Sequence, residues 1–80
     1  MNNEFVISPK WQKKINLAKR AGLQRELYPD LIVYFIRQRY SQDDEFALNR
    51  QRDVKEAEWN DYNNYCENAK AYAKELLGLW

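Results

Sequence analysis

Eighty residues with 45% apolar and 31% charged side chains read as one folded domain rather than a disordered chain, though one this short buries only about 60–65% of its unfolded surface. A single cysteine, Cys66, and the lack of histidine exclude an intramolecular disulfide, a cysteine-based zinc site and any Ser-His or Cys-His catalytic pair. The net charge of +1 hides an asymmetry: residues 1–40 carry eight basic residues against Glu4, Glu26 and Asp30, a net of +5, while residues 41–80 carry a net of −4. Such a split draws the halves together across the fold, with an anionic partner for the first half as the alternative.

The chain opens on an apolar arm, Glu4-Phe5-Val6-Ile7. Residues 1–7 are expected to run extended over the bundle. Ser8-Pro9 then sets an N-cap hydroxyl before a proline at the first helical position, where its missing N–H costs nothing. Trp11, Ile15 and Ala18 follow at i, i+4 and i+7, and Gly22 ends the pattern, so the first helix is predicted over 9–21. Tyr28-Pro29-Asp30 marks the next boundary. Leu31 to Ile36 suits a strand as well as a helix, but no second strand exists to pair with it, and a buried helix is predicted over 30–40. Ser41, followed by Asp43, Asp44 and Glu45, opens a third helix over about 42–52. Its Phe46, Ala47 and Leu48 are expected to point inward. Asp53 is placed as a cap or at a kink.

The last helix is predicted from Lys55 to Leu77, a stretch free of Gly and Pro, with Gly78 as its C-terminal cap. Tyr62, Cys66, Ala69, Ala73 and Leu76 form its core stripe, whose small middle residues let a neighbouring helix come close. The fold class is therefore all-α: a single domain over 1–80, a small bundle of three to four helices with a long C-terminal helix.

Function is read mostly by elimination. Only Gly22 and Gly78 are present, so there is no glycine-rich phosphate loop, and the adjacent carboxylates of Asp43 to Glu45 diverge around a helix rather than converge on a metal. No enzyme activity, cofactor or metal is expected. The longest apolar run is six residues, Leu31 to Ile36, far below a membrane span, and MNNEFVISPKW lacks the pattern of a signal peptide. A cytoplasmic setting is expected, because small secreted domains are normally stapled by disulfides.

Three Trp, six Tyr and three Phe exceed what so small a core needs. The surplus points to a surface that binds another protein or a second copy of the chain, with Tyr65, Tyr72, Leu79 and Trp80 as its residues. Nucleic acid is the alternative partner. Lys10, Lys13, Lys14, Lys19, Arg20 and Arg25 follow one another with no carboxylate between them. Ala18 and Gly22 have the spacing of a helix-turn-helix, but Pro29 would fall inside the recognition helix, which argues against that motif. Arg50 and Arg52 are expected to pair with Asp53, Glu56 or the acidic turn at 43–45.

The second half also carries a pattern of short motifs: Arg39-Tyr40-Ser41, the acidic start Asp43 to Glu45, Arg50-Gln51-Arg52-Asp53, and a tyrosine-rich last helix from Tyr62 to Lys74. Over residues 37–77 this resembles small proteins of phages and prophages in gut bacteria. That resemblance implies a particle or assembly component, and hence a virion as an alternative location. It assigns no residue a biochemical role.

Overall fold

The structure, a computed structural model, describes residues 5–79. Four α-helices lie among them: α1 (Pro9–Ala21), α2 (Gln24–Ile36), α3 (Gln42–Arg50) and α4 (Glu56–Leu77). The all-α class and the long last helix are as the sequence predicts.

Local signals set most helix ends. The Ser8 hydroxyl accepts the Trp11 N–H at 3.3 Å, and Pro9 occupies the first turn of α1. Gly22 closes that helix at φ 73°, a left-handed conformation that favours glycine. At Ser41 the capping is reciprocal: its hydroxyl accepts the Asp44 N–H at 3.1 Å, and the Asp44 carboxylate accepts the Ser41 N–H at 3.0 Å. Gly78, at φ 71°, donates to the Glu75 carbonyl while Leu79 N–H reaches the Lys74 carbonyl at 2.9 Å, the paired closure that satisfies the last carbonyls of α4.

Two expectations are corrected. The boundary at Pro29 does not exist, for α2 begins at Gln24 and carries Pro29 in its interior. Pro29 offers no N–H to the Arg25 carbonyl, but both residues lie on the exposed side of the helix, while Leu31, Phe35 and Ile36 gain burial by keeping the helix intact. The helix then stops at Ile36 rather than 40, and Gln38 and Arg39 N–H groups bond three residues back in a tight turn. Second, Phe46 points outward and is 56% exposed, with Ala47 and Leu48 half-buried. The reason is that α3 packs against α4 alone among the helices, which covers only a narrow face. Asp53 takes the second of its two expected places, at the kink between α3 and α4: residues 51–54 form a turn closed by Lys55 N–H on the Gln51 carbonyl at 2.7 Å, and α4 starts without a side-chain cap.

The core lies where α2 runs along the second half of α4, with α1 closing the third side. Ala69 and Ala73 are fully buried, and their small side chains admit the α2 backbone close to α4. Ile15, Leu31, Phe35 and Leu77 are the largest side chains wholly removed from water, each stabilising by about 1.5–3 kcal/mol. The arm does pack over this bundle from Phe5 onward; Met1 to Glu4 lie outside the described residues. Phe5 is buried against Phe35 (4.8 Å between ring centres), Tyr65 (5.0 Å) and Tyr72 (5.8 Å). Gln38 holds the arm with its side-chain amide, accepting the Val6 N–H at 3.0 Å and donating to the Val6 carbonyl at 2.6 Å.

Candidate interaction surface

Of the predicted partner-binding residues, the described three, Tyr65, Tyr72 and Leu79, do not form an open surface. Tyr65 is 3% exposed, and its hydroxyl donates to the Phe35 carbonyl at 3.0 Å. Tyr72 is half-buried between Phe5 and Phe35, and Leu79 is half-buried against the same core. Trp80 lies outside the described residues. Tyr65 is buried and Tyr72 half-buried because the arm adds a layer, through Phe5, that the helix pattern alone does not show. The core stripe on α4 is correspondingly displaced: Tyr65, Cys66, Ala69, Ala73 and Leu77 are buried, while Tyr62 and Leu76 are half-buried.

The basic candidates Lys10, Lys13, Lys14, Lys19 and Arg20 are all exposed on α1, and Arg25 is exposed on α2. Among the described residues none of the six forms an ion pair; Lys14 lies over the Trp11 ring at 4.5 Å. The expected attraction between the halves is carried by Arg37, which pairs with Glu45 of α3, and the charge of α1 stays facing solvent. Among the described residues Arg50 and Arg52 make no ion pair with Asp53, Glu56 or the acidic turn at 43–45. Arg52 instead sits over Trp59 at 5.7 Å.

Among the described residues the large apolar side chains that lie open are Val6, Leu17, Leu23, Val33, Phe46 and Val54. Leu17 on α1 and Leu23 in the connecting turn are 58% and 50% exposed. They face a shallow groove between the first two helices. Its α1 wall is Lys14, Leu17, Ala18 and Ala21, spaced i, i+3, i+4 and i+7, so all four share one face. The other wall, Leu23, Glu26, Leu27 and Asp30, repeats that spacing along the start of α2. The walls carry opposite charge: Lys14 rims the α1 side, Glu26 and Asp30 the α2 side. A signal for this surface was present in the sequence, since Leu17 falls off the Trp11–Ile15–Ala18 stripe with no core to enter.

The remaining chemistry is quiet. Among the described residues no group of three His, Cys, Asp or Glu side chains could hold a metal ion, and no helix is long and apolar enough to cross a membrane. Burial pushes the Cys66 thiol above its ordinary value, and the nearby Glu45 carboxylate adds to this, so the reactive thiolate is disfavoured. The Tyr62 hydroxyl donates to Glu45 and is likewise pushed up, first by burial and then by that bond. Glu45 thus joins Arg37 of the loop after α2 to Tyr62 of α4, an anchor for α3 rather than an acid–base pair.

Comparison of the chain with protein-family models, with curated proteins and with solved structures finds no match among them.

Proposed function

We propose that this protein is a non-catalytic interaction module that docks another protein chain on the groove between α1 and α2. One observation carries the reading: Leu17 and Leu23 each expose half or more of their surface and line the same groove. Single exposed leucines are common, but two lining one groove with Ala21 make a contiguous apolar patch, the mark of an interaction site. The likeness of residues 37–77 to phage and prophage proteins adds an assembly role to this proposal.

A nucleic-acid module remains the second reading, supported by the unpaired cations of α1. With Pro29 inside α2, the proline no longer argues against a helix-turn-helix. The exposed face of α2 does: Glu26, Pro29 and Asp30 lie there with Arg25 as the cation, a poor surface to set against phosphates.

Photo-crosslinking from position 23 of the full chain in cells tests the first reading, which predicts a discrete protein adduct that Leu17→Glu abolishes. A salt titration of duplex DNA and of RNA tests the second. Tight low-salt binding lost on Lys13→Glu, with no crosslink at position 23, would replace the proposal.

A further inference from the structure

The groove offers a clue to its own occupant. Two parallel stripes of the same i, i+3, i+4, i+7 spacing line it, one on each helix, and the turn of Gly22 and Leu23 joins them. Lys14 stands eight residues before Gly22 and Asp30 eight residues after it, so the two charges lie towards the open end of the hairpin on opposite walls. A two-fold axis through the groove would bring the α1 wall of one copy against the α2 wall of the other. Leucine then meets alanine and leucine, and each Lys14 faces the partner's carboxylates twice over, as the self-complementary geometry of a symmetric dimer requires. A like-charged wall pair would be repelled by the same operation. This wall pair is matched to it.

We infer that the partner docked on the α1–α2 groove is a second copy of this chain, paired face to face through Leu17 and Leu23 with Lys14 opposite Glu26 and Asp30. The inference rests on the proposed interaction role and names its partner. The exposed apolar surface of the groove is far below the approximately 800 Å² per partner of a standard interface, so the dimer is weak and concentration-dependent.

Sedimentation equilibrium of the full chain from about 10 µM to about 1 mM tests this, with the charge pattern as the probe. Wild type passes from monomer to dimer across the series. Leu17→Glu or Leu23→Glu weakens pairing by about tenfold or more, because each buries a charge in the apolar centre, while helical content by circular dichroism is unchanged. Lys14→Glu alone is repelled by Glu26 and Asp30 of its mate, and Glu26→Lys/Asp30→Lys alone is repelled by Lys14. Mixing those two variants restores dimers to wild-type strength, for in the mixed pair every opposed contact is again between opposite charges. A wild-type chain that stays monomeric throughout, or variants that fail to complement on mixing, overturns the inference. The position-23 crosslink separates the two levels: an adduct of twice the chain mass agrees with pairing, and an adduct to a different protein from a monomeric chain overturns self-pairing and leaves the interaction role standing. No adduct with a monomeric chain overturns both.

Discussion

Phe35 and Tyr65 show how residue identity turns into stability here. Phe35 is fully buried at the centre of the aromatic layer, so Phe35→Ala removes both the transfer free energy and the packing around it, a loss of about 3–5 kcal/mol in urea unfolding. Tyr65→Phe keeps the ring and deletes only the hydroxyl bonded to the Phe35 carbonyl. It is expected to lower stability by about 1 kcal/mol, and a neutral result would mean that the hydroxyl is solvated in solution. Cys66 and Tyr62 add a dependence on pH. Both hold their protons in the folded chain beyond the point where the unfolded chain releases them. Their contribution is full below about pH 8.5, the ordinary thiol value, and is lost as pH rises through the alkaline range. Cys66→Ala should therefore flatten the first part of the alkaline decline; identical slopes in the two proteins would count against a protonated thiol in the fold.

Among the helices, α3 is held least. It has no fully buried residue, touches only α4, and depends on its capping box and on Glu45 for position. Hydrogen exchange should find its amides the least protected of the four helices. Ser41→Ala, which removes one half of the box, costs about 1 kcal/mol and speeds exchange in α3 ahead of the rest. The second helix presents the opposite case, a local fault overruled by packing. Replacing Pro29 with alanine restores a donor to the Arg25 carbonyl and raises the melting temperature, by at most about 3 kcal/mol of stability. A lower melting temperature would show that the ring of Pro29 contributes packing that its exposure does not suggest.

At the scale of the whole molecule the chain is elongated. Its extents are 45 × 22 × 21 Å, and its radius of gyration is 13.9 Å, against about 11.6 Å for a compact chain of this length. The cause is α4: from Tyr65 onward it carries the core, and its earlier turns project with α3 packed at Trp59 and Tyr62. Small-angle scattering extrapolated to infinite dilution should return the monomer dimension. A rise with concentration that Leu23→Glu removes would tie the growth in size to the groove. Charge follows the same layout, with α1 basic and exposed while the acidic residues of the second half line α3 and α4.

Helix ends were legible in the sequence wherever the signal is local. Ser8-Pro9, Gly22, Ser41 and Gly78 act on backbone groups within about four residues, so their chemistry reads directly from the string. The helical class and the long last helix follow from the same short-range rules. Burial obeyed contacts between residues far apart in the chain. Val6 meets Gln38 and Tyr65 meets Phe35 across separations of 32 and 30 residues, and these decided that Tyr65 and Tyr72 lie against the arm rather than at a surface. Packing of the same long-range kind carried α2 through Pro29, because three buried side chains outweigh one missing hydrogen bond on an exposed stretch of helix. The groove could emerge only once both of its walls were in place: each stripe is an ordinary helix face, and their opposition across Gly22 and Leu23 is a property of the tertiary fold.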